Sequence, residues 1–542
     1  MIAGELRLPL PLREGAGGRG PSRVVAGLST LRCPLPPAPS RRRRGSVVAA
    51  TLVLATCVLS AAAAARSFEY DEGYSIFVTS GVPRPAWPTT PFVVGSVRGV
   101  YAGHASLRQV AQDLRRTDVH PPLYFWALAL WRRVAGDGLF AARMLSVLFA
   151  AGALAAVAGI AELSGVPPVT AMVFTLGCYG FAYTGAIARG FALAQMLTLC
   201  GVLLALVAAR RFRARTALAA GLALGAASFG NYLAVFVGAA TLLWLGVVRL
   251  RAPRVWLAAA LGFVMLVPPD FWFFVAQRNS RAGQFPPFEW APSLAQLARD
   301  TAGAVLGGLP LYVADGAARV VVGGLLGAAL ATLVGLVVWR WRAIGASESR
   351  LLLVLGAAAP PVGLVMLGLV FDTTPIELRY LSFATPFVGL LFAGMLGSLP
   401  RRAAWAVGGG LACLQVLAVA GLLTRSETMQ PARSTAAAAA ALAGSRGLVL
   451  LPRGNDGVGV VGPFLAESPD WLHVVLVRRG TPVRQIVATA SAYPRVVLAL
   501  LGVDADSRAV MPAMRAAFAD ACWHPAGAGF NSVAFERVCP IH

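Results

Sequence analysis

A succession of apolar runs of about 20 residues, separated by short arginine clusters, governs what this chain can become. The first is residues 46–65, GSVVAATLVLATCVLSAAAA. Others fall near 139–161, 168–187, 190–209, 216–231, 232–248, 255–276, 317–338, 350–371, 381–398 and 403–424, about eleven in all. Only 13% of the 542 residues are charged, about half the share in a soluble domain, which is roughly 25%. The sequence therefore predicts an all-α polytopic membrane protein of about eleven transmembrane helices.

The net charge is +23, and no lysine contributes to it. In a soluble chain that excess would point to nucleic acid. Here the arginines fall between the apolar runs, at Arg41–Arg44, Arg210–Arg215, Arg249–Arg254, Arg340–Arg350 and Arg401–Arg402. They read as cytoplasmic anchors, and no nucleic-acid partner is expected. Residues 121–136, PPLYFWALALWRRVAG, break the parity if counted as a span, because Arg210–Arg215 would then face outward. The segment is short and opens on Pro121-Pro122, so it reads as an interfacial helix of the first outer loop.

Three regions follow. Residues 1–45, rich in Arg, Pro and Gly, form a basic disordered tail. Residues 46–424 form the membrane domain, with a long outer loop at 66–138. Residues 425–542 form a small α/β domain outside the membrane, from the short β-type runs Leu448–Leu451, Val474–Val477 and Val496–Leu500 and the helical stretch 507–520. Segment 41–65 has the look of a signal peptide, but a retained anchor is expected. Cys57, Cys178, Cys200 and Cys413 lie in apolar runs as small core residues. Cys522 and Cys539 lie beyond the last run, where a disulfide and two free thiols are both open.

The ionisable residues outside the arginine clusters collect at one membrane face. Phe68-Glu69-Tyr70-Asp71-Glu72-Gly73-Tyr74 begins the first outer loop, and Asp118-Val119-His120-Pro121-Pro122-Leu123-Tyr124 ends it. Arg143 opens the next run, in Ala142-Arg143-Met144-Leu145-Ser146. Ala188-Arg189-Gly190-Phe191 and Arg379-Tyr380-Leu381 mark later outer turns. Ionisable groups at span ends facing a common cavity are functional candidates, because burying them near lipid is costly.

This pattern resembles the GT-C superfamily, and within it the protein O-mannosyltransferase-like and lipid A aminoarabinose transferase-like group. The likeness covers roughly residues 47–400. It implies a glycosyltransferase that moves a sugar from a polyprenyl-phosphate-linked donor to a cell-envelope acceptor, with inversion, on the outer face of the membrane. Asp71 would be the general base and Glu72 its partner, orienting substrate or tuning Asp71. His120, Arg189, Arg379 and Tyr380 would contact the donor phosphate, since arginine gives an anion a permanent, planar fork. Arg143, Asp118 and Tyr124 would support the site, Arg143 through a carboxylate of the first loop and Asp118 as a helix cap. Glu69, Asp372 and Glu377 read as ordinary solvated residues.

No cofactor or metal is expected, although Asp71 and Glu72 could hold a divalent cation. The short outer segment 276–316 favours a glycolipid or polysaccharide acceptor over a protein. The expected home is the bacterial cytoplasmic membrane, with the N-terminus cytoplasmic and both the site and the C-terminal domain extracytoplasmic. Other readings stay open: a lipid-linked glycan polymerase or ligase, or a non-catalytic transporter or flippase. A transporter would carry its ionisable residues nearer the midplane.

Overall fold

The computed structural model describes residues 41–278, 285–308, 316–519 and 521–539. The basic tail, up to residue 40, lies outside these. Residues 45–542 form one compact unit.

α1 (Arg41–Ala65) leads into α2 (Tyr70–Ser80), a short helix with all eleven residues buried. Glu69 and Glu72 start α2 as a reciprocal capping box, and Gly81 ends it in the left-handed conformation, φ 90°. The first outer loop continues with β1 (Phe92–Val93), α3 (Leu107–Thr117) and α4 (Leu123–Ala135). The thirteen residues of α4 reach only about 20 Å, too short for a bilayer core of about 30 Å.

The bundle then runs through α5 (Leu139–Ser164), α6 (Pro168–Gly177), α7 (Tyr179–Gly185), α8 (Phe191–Arg211), α9 (Ala214–Ser228) and α10 (Ala234–Val248). It closes with α11 (Pro253–Val264), α12 (Val267–Gln277), α13 (Trp290–Leu306), α14 (Ala317–Trp339), α15 (Ser347–Phe371), α16 (Thr385–Ser398) and α17 (Arg401–Thr424).

Six described helices are long and apolar enough to cross a bilayer, or seven if the bent pair α11–α12 counts as one span. The expected count of about eleven is therefore not reproduced. The run 168–187 is divided at Cys178 into α6 and α7, and 255–276 bends by 40°. Hydropathy sums over such breaks, so it reads a broken path as a full one.

Small residues let these helices approach. α9 and α11 meet at Gly221 and Gly262, where a Cβ would overlap the carbonyls of Ala259 and Leu218. Such backbone proximity is how helices gain packing energy where lipid removes the hydrophobic drive. Arg249 donates to the Ala209 carbonyl at 2.8 Å and pairs with Glu348 at 3.2 Å. The clusters around Arg210, Arg249 and Arg350 thus share one end of the bundle.

The opposite end carries α2 and a six-stranded sheet. α18 (Ala432–Ala443) precedes β2 (Leu448–Pro452), α19 (Val461–Glu467), β3 (His473–Val477), α20 (Val483–Ala490), β4 (Arg495–Ala499), α21 (Ala505–Ala516), β5 (Trp523–Gly529) and β6 (Ser532–Arg537). The order is β1-β3-β2-β4-β6-β5, with β3, β2 and β4 parallel. β2 is buried along its length, as a covered parallel strand should be. β1 comes from the first outer loop and pairs antiparallel with β3, Phe92 opposite Val474. The sheet therefore extends beyond residues 425–542. Cys522 and Cys539 are disulfide-bonded, Cα atoms 5.0 Å apart, which resolves the open alternative.

Candidate active site

Four buried ion pairs gather around α2, and three of them join residues that the sequence left unmatched. Glu72 is held by Arg143 in a two-pronged contact, Nε to Oε1 at 2.7 Å and Nη2 to Oε2 at 2.6 Å. Arg143 also donates to the carbonyls of Ala63, Arg66 and Ser67, at 2.7, 2.9 and 2.6 Å. The amides of Ala188 and Glu69 complete the Glu72 carboxylate, at 2.8 and 3.0 Å. Such a carboxylate has little left to offer a substrate. Its evident work is to fix the end of α1, the start of α2 and the turn before α8 around Arg143. The expectation that Arg143 pairs with a first-loop carboxylate holds.

Asp71, the neighbouring carboxylate, points elsewhere. Arg379 Nη1 lies 3.1 Å from its Oδ2, while Arg379 Nη2 lies 2.5 Å from Glu377. Burial works against the charge on Arg379, but Asp71 and Glu377 outweigh it and raise its pKa well above the ordinary value. Glu377 is thus half-buried and paired, contrary to the solvated residue expected, because the short 3-10 helix Leu378–Phe383 folds Arg379 back over it. Asp372 is exposed, as expected.

Arg189 is fully buried and committed to Asp118, with Nη2–Oδ1 at 3.3 Å and Nη1–Oδ2 at 3.4 Å. It also donates to Ser75 at 3.3 Å and approaches His120 Nδ1 at 2.9 Å. The same Nδ1 lies 3.0 Å from Asp118 Oδ1, so the imidazole is held between Arg189 and Asp118. Asp118 ends α3 and takes the Val119 amide at 2.6 Å. It does not cap the following helix as expected, because α4 begins at Leu123 with Pro122 at its N-cap, four residues past Asp118. Tyr124 is fully buried, its hydroxyl 3.1 Å from Ser146, and helps to seat α4 on α5.

Glu69 was missed as a site residue. It is fully buried, forms an ion pair with Arg66 and accepts from the Met429 amide at 3.2 Å. Burial pushes its carboxyl up, with Arg66 pulling it back. The signal was present: glutamates three apart, Glu69 and Glu72, are the spacing of a capping box. The irregular segment 425–431 crosses this corner, with Thr428 on Arg66 and Met429 Sδ 3.1 Å from Arg379 Nη1. The buried Tyr183 hydroxyl lacks a partner among the described residues.

A cavity of about 500 Å³ opens beside these pairs. His120 and Tyr380 line it at the α2 end, and Phe236, Phe263, Phe274 and Leu364 line its apolar length. The Arg379 guanidinium lies 5.2 Å from the Tyr380 ring centroid, so Tyr380 stands between the cavity and the Asp71–Arg379 pair, neither member of which lines it. The expected phosphate residues thus divide. His120 and Tyr380 reach the cavity, Arg379 stands beside it, and Arg189 stands behind His120. Among the described residues, no group of three or more His, Cys, Asp or Glu is arranged to hold a metal.

Residues 119–272 match the family model described as dolichyl-phosphate-mannose-protein mannosyltransferase. In fold, the chain is similar to ArnT from Cupriavidus metallidurans bound to undecaprenyl phosphate. The TM-score is 0.50 at 13% identity, covering 92% of this chain and 99% of that one. The same protein in the apo state gives a TM-score of 0.50 at 14% identity, covering 92% and 98%. Mycobacterial arabinofuranosyltransferase AftD gives 0.39 at 16% identity, covering 93% and 40%, too low to argue from. No curated protein matches the sequence. The chain has the ArnT-like GT-C fold.

Proposed function

We propose that this chain, a multi-pass membrane protein of the GT-C superfamily, is a glycosyltransferase that uses a polyprenyl-phosphate-linked sugar. The acceptor is a cell-envelope glycolipid, polysaccharide or protein on the outer face of the membrane. The observation that carries the reading is the difference between two adjacent carboxylates. Glu72 is saturated by Arg143, whereas Asp71 meets Arg379 beside a long apolar cavity lined by His120 and Tyr380.

The apolar length of the cavity suits an isoprenoid chain, and its His120–Tyr380 end suits the phosphate. Asp71 takes the proton of the acceptor hydroxyl as its oxygen bonds to the anomeric carbon. The anomeric C–O bond breaks, and its electron pair leaves on the lipid phosphate. Attack opposite the leaving group inverts the anomeric centre. Protonation of Asp71 removes one of the two carboxylates that hold Arg379, which leaves more of its positive charge for the departing phosphate. Glu72 and Arg143 hold α2 in position, and Arg189 and Asp118 hold His120. No metal is used. The ArnT-like fold supports the lipid class, and the 17-residue α13 with its short flanks leaves the glycolipid or polysaccharide acceptor favoured.

The test is transfer by purified protein from a radiolabelled polyprenyl-phosphate sugar, in membranes containing envelope glycolipids. The expected result is label in an acceptor and free polyprenyl phosphate in equal amounts, abolished in Asp71→Asn. Undiminished transfer in Asp71→Asn would overturn the role of the base. Movement of intact lipid with no cleavage would favour a flippase.

A further inference from the structure

The cavity wall carries polar atoms that the reaction above does not use. Ser228 ends α9, and Asn231 follows in the turn to α10. Asn231 is 3% exposed; its Oδ1 takes the Leu233 amide at 3.1 Å, but its Nδ2 has no partner among the described residues. Asp270, on α12, accepts from the Ser228 hydroxyl through Oδ2, and its Oδ1 is likewise unpartnered. All three residues line the cavity that His120 and Tyr380 line. They sit on its α2 side: the Leu123 amide donates to the Phe229 carbonyl at 3.3 Å, and Gln277, at the end of α12, donates to the His120 carbonyl at 2.9 Å.

An unpaired buried amide costs about 1–3 kcal/mol, and an unpaired carboxylate costs more. A carboxylate at membrane depth is also a functional feature by default. The local structure uses only half of each group: Asn231 Oδ1 holds the turn into α10 and Asp270 Oδ2 links α12 to α9, leaving Nδ2 and Oδ1 over.

We propose that Asn231 and Asp270 form a sugar-hydroxyl subsite that reads the carbohydrate part of the substrate. This rests on the polyprenyl-phosphate reading above. The ligand chemistry follows from the two empty positions. A sugar hydroxyl can donate its proton to Asp270 Oδ1 and a sugar oxygen can accept from Asn231 Nδ2, so a polyol satisfies both. A phosphate is repelled by Asp270, and an isoprenoid chain satisfies neither atom. The hydroxyl belongs either to the donor sugar or to a saccharide acceptor, and the experiment separates these sources.

Binding of undecaprenyl phosphate, and of undecaprenyl phosphate carrying a neutral pentose or hexose, is measured on full-length protein in nanodiscs. The proteins are wild type, Asn231→Ala and the near-isosteric Asp270→Asn. A donor hydroxyl is indicated by a loss of about tenfold to a hundredfold for the glycosylated lipid, with undecaprenyl phosphate alone within about twofold. Unchanged binding of both lipids, with a KM for a saccharide acceptor raised about tenfold or more, places the hydroxyl on the acceptor and also supports the subsite. Equal losses for bare and glycosylated lipid in both variants overturn it, as does no change in either affinity or acceptor KM. If wild type binds neither lipid, the polyprenyl-phosphate reading fails and takes this inference with it.

Discussion

The corner around Glu72 and the wall around Asp270 are both polar patches buried in an apolar protein, yet they are built oppositely. At Glu72, both carboxylate oxygens are matched by Arg143 and two backbone amides. At Asp270, one oxygen is left over, and so is the nearby Asn231 amide. A saturated network rigidifies a structure; an unsaturated one facing a cavity is waiting for something else to complete it. Asp71 lies between these cases, paired with Arg379 but beside the cavity.

The comparison can be broken most directly at Arg143. Arg143→Leu leaves Glu72 charged and buried, and the expected loss is about 3–5 kcal/mol. Thermal unfolding in detergent reads it, and an unmoved melting curve would mean that the corner is not structural. Asp71→Asn should cost more in rate than in stability: transfer falls by about 10²–10⁴-fold, and because Glu377 still pairs with Arg379 the melting curve moves less than in Arg143→Leu. Glu72→Gln, by contrast, should lower stability and activity together. If Glu72→Gln keeps its stability and loses only rate, the roles of the two carboxylates are exchanged.

A smaller effect tests the region outside the bundle. Cys522→Ser opens a bridge of sequence separation 17 and should cost about 3 kcal/mol. Hydrogen exchange should show that loss in β5 and β6 and not in α2. The smallest expected effect is none. EDTA should leave transfer unchanged, and dependence on a restored divalent ion would assign the Asp71 corner to metal.

The sequence made the chemistry-bearing residues legible as a set, because charges at the ends of apolar runs are rare and costly. It did not make the pairing legible. Asp71 with Arg379, Asp118 with Arg189 and Glu69 with Arg66 depend on how distant helices pack, and several exchanges of partner would look the same in one dimension. Arg143 was the easier case: it lies at a helix start close in sequence to the first loop. Asp270 stood in plain view as a carboxylate inside an apolar run. The breaks at Cys178 and between α11 and α12 were not legible, because averaged hydropathy runs straight across them.

The pairing of β1 with β3 sets an order of events in biosynthesis. Phe92 and Val93 leave the ribosome long before His473 and Val474, which they must meet. Ser67 likewise donates to the Ser426 carbonyl, and Phe68 to Glu467, at 2.9 and 2.7 Å. The helix bearing Asp71 therefore stays unfinished through nearly the whole of translation. It is locked only when the last third of the chain has been inserted and the sheet closes over it. A polypeptide cut short by a late stop codon would reach the membrane with its helices threaded and its acidic corner unassembled.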